Sequence, residues 1–188
     1  MNAESMGLQD SSFDVALCGF MGWDYAFDFA HGEFKRADAR MKEIWRVLRA
    51  GGRVWISAWE EQGDLDWMEE TLVRYLPSIL SDREFVEDRP IGYSKENAAG
   101  YDIILQSAGF KDISILHEKA EFVSAGEEEW WEMINSLRAW RHYLAKIENE
   151  GIERLQGIKE AVFKELECYK RADGIHFVKS VLFATGIK

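Results

Sequence analysis

Two stretches decide the fold: Phe13-Asp14-Val15-Ala16-Leu17-Cys18-Gly19-Phe20 and, further on, Arg53-Val54-Trp55-Ile56-Ser57-Ala58-Trp59. Each is a short, nearly continuous apolar run, the pattern of a strand covered on both faces rather than half-exposed. Between them, from Glu33 to Arg49, the residues Phe34, Ala37, Met41, Ile44, Trp45 and Leu48 recur at helical spacing, and Gly51-Gly52 stops the pattern. Strand, amphipathic helix and strand in that order predict a right-handed βαβ unit with its two strands parallel.

Outward from that unit, Leu65, Met68, Leu72, Leu76 and Ile79 mark a helix over 64–80 that Pro77 kinks or ends. Residues 81–93, with Pro90 and Gly92, read as a loop, and Ser94 reads as the N-cap of a helix that Gly109 terminates. A strand follows over 111–123, then helices over 127–147 and 152–169, then a last strand over 176–185. The order predicts an α/β fold whose sheet carries a pair of helices inserted before its final strand. It forms a single domain, residues 1–188, with a helical insertion over 124–174.

The chain of 188 residues is long enough to bury a core, and a net charge of −11 with no strong basic patch argues against nucleic acid and anionic membranes as partners. Two cysteines, Cys18 and Cys168, make no disulfide framework, and no apolar run is long enough to span a bilayer, so the expected setting is cytoplasmic. The four histidines lack metal-ligand spacing, and neither a GxSxG elbow nor a phosphate loop occurs, which leaves no metal site, hydrolase or NTPase to expect. Eight tryptophans suggest a bulky core or an apolar binding surface. Trp130, Trp131, Ile134, Leu137, Trp140, Tyr143 and Leu144 form a stripe that reads as core packing against the 152–169 helix.

Ser12-Phe13-Asp14-Val15, Glu43, Arg46-Val47-Leu48, Gly51-Gly52 and Ile56-Ser57 resemble the pattern of class I S-adenosylmethionine-dependent methyltransferases of the small-molecule type. Leu105 to Phe110 resembles that family's LxxAGF helix exit, and the strand over 177–184 its last, antiparallel strand. The resemblance thus implies a partial Rossmann-like sheet of three parallel strands plus one antiparallel C-terminal strand. It also offers, as the alternative to core packing, that the tryptophan stripe is a lid over an apolar substrate pocket. The resemblance begins at the family's fourth strand, so it implies that the half bearing the GxGxG loop is missing. It implies S-adenosylmethionine as cofactor, with Ala3, Glu4, Cys18, Gly19 and Phe20 lining it and Met21, Trp23, Asp24 and Trp130 facing the substrate. Gly19 also reads as ordinary punctuation at the end of a strand. The family often has a histidine where Met21-Gly22-Trp23 stands here, so no catalytic base is assigned. Without its neighbour, the 13–20 strand becomes an exposed apolar edge, expected to pair with a second copy in a homodimer or with a partner chain carrying the missing half. The implied activity is methyl transfer to a small molecule by a site incomplete in one chain; the competing reading is a non-catalytic methyltransferase-like remnant or subunit.

Overall fold

Parallel pairing of β1 (Phe13–Gly19) with β4 (Leu48–Gln62) forms the frame, with Ala16 beside Val54, Leu17 beside Trp55 and Gly19 beside Ser57. The computed structural model of the chain describes residues 2–75 and 96–188. Between the two strands lie a short hairpin, β2 (Phe27–Asp28) and β3 (Glu33–Phe34), and helix α1 (Ala39–Val47). The helix expected from Glu33 therefore starts later. Asp38 accepts from the Met41 amide as its N-cap, and the residues before it are drawn into the hairpin.

The residues that carry the family resemblance build this crossover. Glu43 and Arg46 pair on α1, and Arg46 also reaches the Leu8 carbonyl and Asp10, which fastens the segment entering β1. At Gly52 a Cβ would lie 2.9 Å from the Arg49 carbonyl oxygen and 3.2 Å from that of Asp14, so only glycine allows β1 and the start of β4 to approach this closely.

Helix α2 (Gly63–Tyr75) follows β4, and α3 (Ala98–Ala108) is capped by Asn97, whose side chain accepts from the Gly100 amide; Gly109, at φ 97°, closes it. Asn97 replaces the expected cap Ser94, which lies outside the described residues, as do Pro77 and the expected loop over 81–93. Strand β5 (Lys111–Ser124) leads to α4 (Glu127–Ser136), α5 (Arg138–Glu150) and α6 (Ile152–Leu166). The single helix expected over 127–147 is two, because Leu137 takes extended backbone between them. A 3-10 turn (Glu167–Tyr169), β6 (Lys170–Arg171) and β7 (Gly174–Ile187) complete the chain.

The strand order is β1-β4-β7-β5, with β6 pairing antiparallel to β7. Gly51 and Gly52 bond Lys188 while Ser180 lies beside Glu61, so β7 runs against β4. Gly186 approaches Phe110 and Ile113 whereas Gly174 approaches Ser124, so β7 also runs against β5. The sheet is therefore mixed: β1, β4 and β5 share one direction and β7 opposes them, as the resemblance implies. β4 and β7 extend beyond the expected 53–59 and 176–185.

The chain divides into two compact units, one of Met1–Glu61, Tyr93–Lys119 and Ser180–Lys188, the other of Gln62–Gly92 and Ala120–Lys179. The helices expected as an insertion over 124–174 fall in the second, which also takes in α2. In the first unit, α1 and α3 cover one sheet face, where Cys18, Val54, Ile56, Leu182 and Ala184 pack against Met41, Ile44, Tyr101 and Ile104. The core of the second joins Trp130, Trp131, Trp140, Ile158, Val162 and Phe177.

Candidate functional site at the tip of strand β1

Strand β1 ends at a turn that its own sequence dictates. The Phe20 amide donates to the Ser57 carbonyl at 2.9 Å, and Phe20 takes a left-handed backbone with φ 50°. This turns its ring onto Trp59, with centroids 4.6 Å apart, while the ring stays 48% exposed. The tip therefore offers a small aromatic shelf. A Cβ added at Gly19 would meet only the Ser57 hydroxyl, at 3.9 Å, so the backbone there is open to close approach.

The loop after the tip is fixed by buried carboxylates. Glu96 accepts from the Trp23 amide and from the Tyr101 hydroxyl at 2.7 Å. Asp38 accepts from the Trp23 indole at 2.8 Å and the Tyr25 hydroxyl at 3.2 Å. Burial pushes the Glu96 carboxyl up, against the bonds from Trp23 and Tyr101 that favour its anion. Burial, with the nearby Asp38 carboxylate, also pushes the Tyr25 phenol up to about 12, so it donates and stays neutral. Arg40 lies 3.5 Å over the Tyr25 ring and donates to the Gly22 carbonyl at 2.8 Å, tying the first turn of α1 to this loop.

The residues expected to line the cofactor divide by environment. Gly19 and Phe20 sit exposed at the tip, whereas the Cys18 side chain faces the core and burial pushes its thiol up to about 11. A side chain so placed is inert, and only the Cys18 backbone is available to a ligand. Ala3 and Glu4 belong to a turn closed by the Asn2–Ser5 bridge; Glu4 pairs with Arg36 at 2.8 Å, and Arg36 lies over Tyr25, which links the turn to the loop.

Of the residues expected to face substrate, Met21 and Asp24 are exposed beyond the tip. Trp23 is wholly enclosed, spending its indole N–H on Asp38, and Trp130 is 1% exposed within the core of the second unit. Neither tryptophan presents a surface, because each ring is worth more packed among apolar neighbours than at the solvent. Asp38 and Glu96, which hold the loop, are absent from the sequence-level expectations. Asp38 lay inside the helical pattern expected from Glu33, which hid it as a cap, and Glu96 carries no local signal. Among the described residues no group of three His, Cys, Asp or Glu side chains is placed to hold a metal ion.

No family model and no curated protein matches the chain. Among solved structures it is similar to the YcgJ protein of Bacillus subtilis, at 15% identity and TM-score 0.49, covering 100% of this chain and 69% of that one. It is similar also to an S-adenosylmethionine-dependent methyltransferase of Methanosarcina mazei, at 16% identity and TM-score 0.41, with 100% and 65% covered. A third is phosphoethanolamine N-methyltransferase 2 of Haemonchus contortus, solved with phosphomonomethylethanolamine and S-adenosylhomocysteine, at 18% identity and TM-score 0.42, with 100% and 36% covered. S-adenosylmethionine-dependent methyltransferases are thus among its structural neighbours. The likeness is one of fold, and the mixed α/β sheet stands on the strand order and directions given above. No described helix is long and apolar enough to cross a membrane.

Proposed function

We propose that the chain supplies one wall of an S-adenosylmethionine site for methyl transfer to a small molecule, and that a further strand pairing with β1 supplies the other. The observation that carries this reading is the position of the β1 tip: it is the carboxyl end of a parallel strand at the open end of the sheet order. In open α/β sheets, ligands bind outside the carboxyl ends of the strands, where the order of strands switches. The motif resemblance around β1, α1 and β4 favours S-adenosylmethionine as that ligand.

The cofactor, when bound, supplies an electrophilic methyl that passes from sulfonium to a nucleophile and leaves a neutral thioether. The residues of this chain would do the positioning. Gly19 leaves room for close approach, Phe20 on Trp59 offers an apolar shelf, and Asp38 and Glu96 hold the loop that presents Met21 and Asp24. Such chemistry gains mainly from alignment, so a site without a strong base is adequate to it.

A second reading, a non-catalytic subunit that pairs through β1 with its own copy or with another chain, is favoured by the exposure of Leu17, at 78%, and Val15, at 50%. Calorimetric titration with S-adenosylmethionine and S-adenosylhomocysteine, at protein concentrations that keep any oligomer intact, separates the two. Saturable binding that Gly19→Phe abolishes, with the urea unfolding midpoint unchanged, supports the methyl-transfer site, because Gly19 is exposed and has room for a Cβ. No binding, or binding indifferent to Gly19→Phe, leaves the pairing subunit.

A further inference from the structure

We infer that the groove between α1 and α3 is a binding site for a small aliphatic carboxylate. Its cavity of about 580 Å³ lies on the helix-covered side of the first unit. That volume falls within the range of roughly 300–1,000 Å³ usual for small-molecule sites. The inference does not rest on the methyl-transfer reading: Asp38 and Arg36 also brace the loop after β1, but the groove substitutions below touch neither.

The apolar part of the lining is Phe34, Ala37, Met41, Ile104 and Ala108. Met41 and Ile104 are each 1% exposed and form its floor, while Phe34, at 39%, and Ala37 are exposed. Apart from Phe34 these side chains are aliphatic or small, a lining that suits an alkyl chain. Methionine, unbranched and polarizable, adapts readily to such a chain.

The charge at the mouth selects the headgroup. Asp38 is the acid in the lining, and its two oxygens are taken by Trp23, Tyr25 and the Met41 amide. Of the two cations, Arg36 is paired with Glu4, which leaves the exposed Lys42 with no ion-pair partner among the described residues. An unneutralised ammonium beside an apolar cavity, in a chain with a net charge of −11, is a local exception that a carboxylate headgroup complements.

The test is a calorimetric titration of the full chain with decanoate below its micelle concentration, with decanol as the uncharged control. Saturable binding of decanoate, tighter than decanol, is expected. Lys42→Glu should weaken it about fivefold, the scale of one exposed charge contact, and Ser107→Trp should abolish it by filling the groove from its rim. Both substitutions are at exposed positions, and a glutamate in the first turn of α1 suits the helix dipole. Leu17→Lys should leave the affinity unchanged, which separates the groove from the exposed face of β1. The inference is overturned by no saturable binding, by equal binding of decanol, by affinity indifferent to both groove substitutions, or by loss of binding in Leu17→Lys.

Discussion

The tryptophans of α4 and α5 and the aliphatic residues of β1 look alike as sequence, dense apolar runs in each case, yet they end in opposite environments. Trp130 and Trp140 are 1% and 0% exposed, and the helices that carry them close on one another and on Phe177. Leu17, in the middle of β1, is 78% exposed, and its register partner Trp55 is 43% exposed. An apolar run thus states what a segment is able to bury and leaves open whether the same chain supplies the cover. In the second unit it does; in the first, α1 and α3 cover one face of the sheet and β1 keeps the character of an interior strand at an edge.

Substitution breaks this comparison most sharply in the core of the second unit. Trp140→Ala or Trp130→Ala is expected to cost about 3–5 kcal/mol by removing a large enclosed ring, whereas Leu17→Ala should change stability by less than about 0.5 kcal/mol. Urea unfolding followed by circular dichroism measures both, and a large loss at Leu17 would mean that the β1 face is covered in solution. Asp38→Ala comes next: it removes the cap of α1 and the acceptor of a buried indole, together about 2 kcal/mol. The same unfolding curves report it, and Asp38→Asn should recover part of the loss.

The cysteines sharpen the contrast between inner and outer faces. Cys168 is exposed and should react at once with a thiol reagent in the native protein, while Cys18 should react only on unfolding. Because burial raises the Cys18 thiol from 9.0 to about 11, the folded chain holds a proton that the unfolded chain gives up. Stability should therefore fall as pH rises from 9 toward 11, a decline that Cys18→Ala removes. The smallest effect concerns Glu96, whose carboxyl burial also raises. The folded state again binds its proton more tightly, so stability should decline as pH rises above the usual carboxylate value, and Glu96→Gln should flatten that part of the profile.

Much of the fold was legible because strands and helices leave local periodic signals. The β1-α1-β4 crossover and the left-handed Gly109 stop follow from patterns within a few residues of each other, whereas the direction of the final strand came from the motif resemblance. The break at Leu137 left no glycine or proline to mark it, and the hairpin of Phe27–Asp28 with Glu33–Phe34 was hidden because Phe34 fits the helical spacing of α1. At the candidate site, Gly19 was visible as the glycine that ends a strand, and Phe20 came from the motif resemblance. The clamp on the following loop could not, since Glu96 reaches Trp23 across 73 positions of sequence, and only the folded chain brings them together.

The β1 tip is tested most directly by an amide NMR titration of the labelled chain with S-adenosylhomocysteine. Weak, saturable shifts are expected at Gly19, Phe20, Met21 and Asp24, with the indole signals of Trp130 and Trp140 unmoved, since one wall of a site binds feebly but in its proper place. No shift at those amides at saturating ligand, or shifts confined to other regions of the chain, would contradict a site at the β1 tip.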